Sequence, residues 1–343
     1  MDATILLSLI QDGIVNGAIY ALLAVALVLV FAVTRVILIP QGEFVALAAL
    51  TLAQLQQGIP PGTAGLLVAL GAVAFVLDLL RGGSRAPRRL ARRALIDLAI
   101  PIALFELTRR VAPLQLGPVA EIALTFLLVA PMGPLIYRIA FEPLADASIL
   151  VLLIAAVGVH LALTVLGLTF FGAEGFRAEP LLDFSLEFGG ITIQAQQIVV
   201  IGASLLLMLG LYLFFERTLQ GKALRAVAVN RTGARLVGIP IAASGQTAFA
   251  LAAGIGAISG ILIAPVTMLY YDSGFLIGLK GFVAAIIGGL GSYPLAVAGA
   301  LGVGLVQSFA AFWTSTFMEV VVFMLVIPVL MLRSFRAGPV EEE

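Results

Sequence analysis

The chain has 343 residues, 62% of them apolar and 11% charged, with 19 cations set against 19 anions. Soluble domains carry about 25% charged residues, so the composition excludes a soluble globule and points to an all-α, polytopic transmembrane bundle. There is no cysteine, and His160 is the single histidine, which leaves no disulfide, thiolate metal site, iron–sulfur cluster or multi-histidine metal site to expect.

A membrane helix needs about 20 apolar residues, fewer where it is broken and packed inside a bundle. On that rule the predicted spans run, in chain order, over 5–33, 42–57, 63–80, 95–110, 118–139, 148–171, 195–215, 244–268, 278–290, 295–313 and 317–332. The pieces 42–57, 95–110 and 278–290 are short enough to be half-helices or re-entrant segments, so the expectation is about 8 to 11 membrane segments. The first run starts almost at Met1 without a basic n-region or a small-residue cleavage site and reads as a retained span. Residues 1–343 read as one transmembrane domain, because the longest polar insertion, 81–94, is too short to bury a core.

Lys and Arg in short loops mark the cytoplasmic side. They cluster at 81–94 (Arg81, Arg85, Arg88, Arg89, Arg92, Arg93), at 217–240 (Arg217, Lys222, Arg225, Arg231, Arg235) and after the last span (Arg333, Arg336). The opposite loop, 172–190, carries Glu174, Glu179, Asp183 and Glu187 against Arg177 alone. Eleven spans then put the N-terminus in the periplasm and the C-terminus in the cytoplasm; Arg109 and Arg110 dissent, and a re-entrant 95–110 would relocate them. The Arg-rich 81–94 loop reads as a topology signal, with a contact to anionic lipid as the alternative.

Nucleotide and hydrolase motifs are missing. There is no G-x-x-x-x-G-K-[ST], H-E-x-x-H or G-x-S-x-G, and Gly288–Ser292 (GGLGS) lacks the lysine of a phosphate loop. Among ionisable groups inside spans, which are functional candidates by default, Glu43 follows a Pro-Gln-Gly turn. It is either a pathway residue or a charge held by a helix N-terminus. His160 reads as a hydrogen-bonded packing histidine, Glu121 and Glu319 as residues near helix starts, and Asp78 and Asp97 as counter-charges to the Arg cluster. No charge pair recurs along one helix face as a proton path requires.

The stretch Arg217–Pro240, RTLQGKALRAVAVNRTGARLVGIP, is too polar to span. Gly221 is expected to break the preceding span, Lys222 to begin a short helix with Ala223, Leu224, Ala226 and Val227 on its apolar face, and Thr232–Val237 to form a second. Gly238 and Pro240 end it. This predicts a cytoplasmic helix-turn-helix with its arginines outward. It either enters a groove on a soluble partner or lies on lipid headgroups. Small residues at four-residue spacing, Gly13 with Gly17, Gly256 with Gly260 and Ala298 with Gly302, predict close helix contacts.

Three segments resemble the branched-chain amino acid ABC permeases of the LivH type. The loop matches G-x-A-x-R-A-x-A-x-N followed by A-x-L-x-G-I at Gly221, Ala223, Arg225, Ala226, Ala228, Asn230, Ala234, Leu236, Gly238 and Ile239. The stretch GLKGFVAAIIGGLGSYPLAVAGALGVGLVQS is similar to the family's G-L-K-A-F…G-G-x-G-S motif at Gly278, Leu279, Lys280, Phe282, Ala284, Gly288, Gly289, Gly291, Ser292 and Gly302. Asn16, Gly17, Tyr20 and Ala21 fit its first span. Departures are the turn N-F-A-H-G-E, here Leu38 to Glu43 without the Asn and His, the tail from Arg333 to Glu343, and 81–117, which looks like an insertion.

The resemblance implies a pore-forming permease subunit of an ATP-driven importer in a bacterial inner membrane, surrounded by lipid and binding no nucleic acid. It would carry branched-chain amino acids or a related small polar solute such as an amide or urea. Its implied partners are a second, LivM-like permease, two cytoplasmic ATPases that hydrolyse the ATP, and a periplasmic solute-binding protein; this chain itself binds no cofactor. The coupling residues would be Gly221, Lys222, Ala223, Arg225, Ala226, Asn230, Arg231, Arg235 and Gly238, with Gly221 and Gly238 as hinges. Pathway candidates are Gln41, Gly42, Glu43, Gly288, Gly289, Gly291 and Ser292, the glycines because a break within a span bares backbone to water. The competing readings are an ion-coupled secondary transporter with broken helices and a scaffold subunit without a pathway.

Overall fold

The structure, a computed structural model, describes residues 3–81, 87–188 and 191–336. Among these, eight helical segments are long and apolar enough to cross a membrane. The first helix, α1 (Ala3–Thr34), is buried all round from Gly17 to Val30, which a single-faced surface helix never is, and it forms the centre of the bundle. Its Gly13 and Gly17 lie on Leu305 and Leu301 of α14 (Tyr293–Trp313), so the two helices are antiparallel and in close contact.

α1 ends where Arg35 takes a left-handed backbone, φ 60°. Residues 35–40 are not helical and lead to α2 (Gln41–Gln56), almost wholly buried. α2 starts halfway through the bundle: Gln41 Nε2 donates to the Ala252 carbonyl, near the middle of α12 (Ile241–Ile263). The connection fits, since six residues reach at most about 20 Å. α2 then runs parallel to α12, with Gly256 on Phe44 and Gly260 on Val45 and Ala48.

α3 (Gly62–Leu80) returns toward the end at which Arg225 lies. The next crossing corrects two expectations. Residues 87–94 are helical, not loop: α4 (Pro87–Ala94), a π-helical stretch Leu95–Ala99 and α5 (Ile100–Val111) follow without a gap, so 95–110 is no re-entrant piece. It leaves Arg109 and Arg110 exposed at the end remote from Arg225. Arg85 lies outside the described residues, as do the side chains of Arg88, Arg89, Arg333 and Arg336 and the tail beyond Arg336.

α6 (Pro118–Val129) and α7 (Met132–Ile136) run into a second π-helical stretch, Tyr137–Phe141. The two π stretches face each other across a buried ion pair. Arg138 Nη1 and Nη2 meet the two carboxylate oxygens of Asp97 at 2.6 and 2.9 Å, and Nη2 also reaches Asp78. Asp78 does pair with the Arg cluster, through Arg93 at 3.0 Å, but Asp97 serves Arg138 instead.

α8 (Ile149–Phe171) crosses next, starting on a Ser148 cap. The 172–190 loop then opens a hairpin of β1 (Ser185–Phe188) and β2 (Ile191–Gln194) in antiparallel register, whose Gly189-Gly190 link between alternating residues is a hairpin signal in the sequence. α9 (Ala195–Arg217) leads to α10 (Leu219–Val229) and α11 (Arg231–Leu236) at the Arg225 end. After α12 the chain turns back into the bundle through 264–272, then α13 (Ser273–Ile287), α14, α15 (Met318–Met324) and α16 (Val326–Arg336) complete it. Among the described residues the chain passes from one end to the other eleven times, two of these passages being half helix and half non-helical chain. Gly302 has no neighbour within contact distance and Ala298 is exposed, so this pair faces out of the subunit while the other two glycine pairs pack within it.

Candidate functional site

Two half-helices meet N-terminus to N-terminus in the middle of the bundle. α13 begins beside the start of α2: a Cβ on Gly42 would collide with the Gly274 carbonyl, and one on Gly274 would press on Gly42 and on Glu43 Oε2. From this joint α2 runs toward the end carrying the hairpin, where the Glu179 N–H donates to Gln56 Oε1 at 2.7 Å. α13 runs the other way, packing Gly281 on Leu23 and Gly288 on Ala296. Only glycine permits so close an approach of two backbones.

The positive ends of two helix dipoles therefore point at one spot, and Glu43 sits there. Its carboxylate is 3% exposed and Oε1 lies 2.8 Å from His160 Nδ1 on α8. The His160 ring stacks on Phe275 of α13, centroids 4.7 Å apart, so one side chain holds both half-helices. His160 thus packs and hydrogen-bonds as its position predicted, but on the one buried carboxylate of the joint. Glu43 is thus a charge at a helix N-terminus, held at mid-bundle depth. Where the resembling family has His in its N-F-A-H-G-E turn this chain has Gln41, and α8 delivers a histidine to Glu43 from elsewhere. Gln41 is fully buried, and its Oε1 has no partner among the described residues.

A second buried charge sits on α13 one turn below the joint. Lys280 Nζ meets Glu319 Oε1 at 2.9 Å and lies 5.9 Å from the centre of the Tyr20 ring. Tyr20 O–H donates to Gln307 Oε1 at 2.6 Å. Glu319 therefore answers a lysine, beyond the helix-start role expected of it; Lys280 was read only as part of the GLKGF motif.

The glycines of 288–292 lie elsewhere. They form the turn between α13 and α14 at the Arg225 end, with left-handed backbones at Gly289 and Leu290, and Tyr293 stacks on Phe215 of α9. Gly288, Gly289, Gly291 and Ser292 thus stand beside the basic loop, and only Gln41, Gly42 and Glu43 are gathered at mid-depth.

In the basic loop the break in α9 comes at Thr218, not Gly221. Thr218 is extended, and its hydroxyl accepts from the Gly221 N–H at 2.9 Å while donating to the Phe214 carbonyl at 2.7 Å. Gly221 lies inside α10, where a Cβ would strike the Phe214 carbonyl; Lys222 is inside the helix as well. Asn230 separates the two helices and caps the second, Oδ1 accepting from the Gly233 N–H at 2.8 Å, a role its type and place announce. Gly238, φ 87°, ends α11 in the left-handed conformation.

The loop has two faces. Leu224, Val227 and Ala234 are buried against Leu29 and Val33 of α1 and Ala248 of α12, so the loop is seated on the two central helices. Outward lie Lys222, Arg225, Ala226 and Arg235, together with Leu219, Val229, Leu236 and Val237, each more than three-quarters exposed. Arg225 bonds Glu216 at 2.6 Å and the Phe215 carbonyl at 2.7 Å. Arg231 departs from the outward expectation: its Nη1 donates to the Ala145 carbonyl at 2.9 Å and ties α11 to the turn before α8. Ala223 is half-buried between the faces.

Comparison with known proteins agrees with this arrangement. The family described as branched-chain amino acid transport system / permease component matches residues 9–332. The high-affinity branched-chain amino acid transport system permease protein BraD of Pseudomonas aeruginosa is 31% identical over 221 residues, which cover 62% of this chain and 72% of that protein. LivH of Salmonella typhimurium is 31% identical over 216 residues, 60% of this chain and 69% of that protein. The probable LivH of Methanocaldococcus jannaschii is 28% identical over 217 residues, 58% and 65%. No solved structure matches. The permease component is a transport role and not a catalytic one, which replaces the ion-coupled and scaffold alternatives: the chain is a multi-pass membrane protein and belongs to the permease component family of branched-chain amino acid transport systems.

Proposed function

We propose that the Arg225 end faces the cytoplasm, that two ATPase subunits dock on the outer face of 217–240, and that their ATP-driven closure moves the permease between inward- and outward-open states. The observation that carries this is the two-faced loop. One face is locked by apolar packing to α1 and α12, and the other offers exposed leucine and valine side chains among cations, the surface a groove on a soluble partner recognises. The solute is a branched-chain amino acid, the class named for the relatives, or a related small polar molecule, and a periplasmic binding protein delivers it. The moving part is the joint of α2 and α13, where Gln41, Gly42 and Glu43 change partners; broken helices meeting at mid-depth are what transport proteins use for this purpose. A second permease has the exposed Ala298 and Gly302 face of α14 on which to pack.

Copurification of the assembled transporter tests the docking face. Arg225→Glu combined with Arg235→Glu is expected to strip the ATPases from the permease while leaving it in the membrane. Retained ATPases, or uptake that persists without them and follows an ion gradient, would refute the reading. Orientation is tested separately, because the natural chain has no cysteine. A membrane-impermeant maleimide added outside cells should label Asp183→Cys and spare Lys222→Cys.

A further inference from the structure

The end of the bundle remote from Arg225 holds a cavity of about 900 Å³, within the range of small-molecule sites. It lies between α1, the start of α9, the far part of α14 and the loops at 177–185 and 265–266. Its wall carries two carboxylates, Asp12 and Asp183, against one guanidinium, Arg177, together with an apolar patch. Asp12 on α1 supplies a carboxylate: Oδ1 accepts from Gln197 Nε2 at 3.2 Å, and Oδ2 has no protein partner among the described residues. Arg177 supplies a guanidinium that is fixed by its Nε, which donates to the Pro265 carbonyl at 3.0 Å. Its two terminal nitrogens make no hydrogen bond or ion pair to described residues. Val15, Val266 and Phe312 supply an apolar patch.

Gln307 also lines the cavity. Its Oε1 is taken by Tyr20, which leaves its amide N–H groups as the donors available to the cavity it lines. The same loop that gives Val266 to the wall continues to Asp272 at the start of α13, so the cavity and the mid-depth joint share one short segment.

An anion with a free oxygen, a fixed cation with free donors and an apolar wall match one chemical class, a zwitterionic α-amino acid with an aliphatic side chain. We propose that this cavity binds such a solute in transit. Asp12 takes the ammonium, Arg177 the carboxylate, and Val15, Val266 and Phe312 the side chain. The proposal rests on the importer reading above and deepens it, since it gives the permease a solute site of its own.

The test uses the assembled permease–ATPase complex in lipid nanodiscs without the soluble binding protein, and radiolabelled L-leucine as the probe. Saturable binding is expected. Isocaproate, which lacks the ammonium, and leucinamide, which lacks the carboxylate, should each compete at least tenfold more weakly than leucine. Asp12→Asn should weaken leucine at least tenfold and abolish the discrimination against isocaproate; Arg177→Gln should do the same for leucinamide. Phe312→Ala, on the half-exposed apolar wall, should weaken leucine and leave glycine unchanged, which gives a readout independent of the polar network. No saturable leucine binding, or discrimination unaltered in both charge variants, overturns the site. ATP-driven, binding-protein-dependent uptake measured on the same preparation separates the two ideas. Uptake without a cavity site overturns only this inference, whereas absence of any ATP-driven uptake overturns the importer reading.

Discussion

Removing either partner of the Glu43–His160 pair should have unequal consequences. Glu43→Gln keeps the shape and an acceptor for His160 and exchanges a charge-assisted bond of about 1.5–3 kcal/mol for a neutral one near 1, a loss of about 1 kcal/mol. His160→Phe keeps a ring to stack on Phe275 but leaves a carboxylate 3% exposed and unpaired, which costs about 3–5 kcal/mol. The double variant removes the charge and its partner together, so the two changes should couple by about 2–3 kcal/mol and the double variant should be more stable than His160→Phe alone. A double-mutant cycle on the denaturation midpoint of the purified permease, in one fixed detergent, measures this. Additivity within about 0.5 kcal/mol, the range of independent sites, would refute the claim that this pair closes the joint.

Gly42→Val should part α2 from α13, because even a Cβ meets the Gly274 carbonyl; transport should be lost while the protein still reaches the membrane, as read by uptake against immunoblot. Asn230→Ala removes the α11 cap and about 1 kcal/mol of local stability, so recovery of ATPase subunits on the permease should fall roughly fivefold, with Asn230→Asp restoring it. Arg138→Met strands Asp97, whose side chain is 1% exposed, and should destabilise the fold by about 3–5 kcal/mol. Adding Asp97→Leu should recover most of that loss in thermal melts, and no recovery would mean that the pair does not link the π stretches.

Much of this architecture was legible in the sequence because membrane helices announce themselves through length and apolarity, properties of one segment at a time. Apart from 95–110, whose helix starts at Pro87, the predicted spans recur within about five residues, and the shortness of 42–57 and 278–290 already implied half-helices or re-entrant segments. Depth was not legible, since it depends on pairs far apart in the chain: Gln41 reaches Ala252, and Glu43 reaches His160. The glycines at 288–291 show the same limit, for a Gly-rich break inside a span and a turn at its end have the same composition, and contact of Gly288 with Ala296 distinguishes them. Arg231 was read as outward because its loop is polar, yet the Ala145 carbonyl was waiting for it. The 95–110 segment looked too short only because the arginines of α4 hid its first two turns of helix; charged residues at the end of a span extend it without adding hydropathy.

The unbroken length of α1 has a mechanical meaning. Its 32 residues make a rod about 48 Å long, with Leu29 and Val33 under the coupling loop and Asp12 in the wall of the far cavity. A helix with no interruption in its hydrogen bonds does not absorb a sideways push by folding; it pivots. A tilt of about 5° swings one end of such a rod by about 4 Å relative to the other, more than the width of a hydrogen bond. A push on the 217–240 loop at one end of the bundle can thus shift the Asp12 wall at the other with no relay of side-chain rearrangements in between.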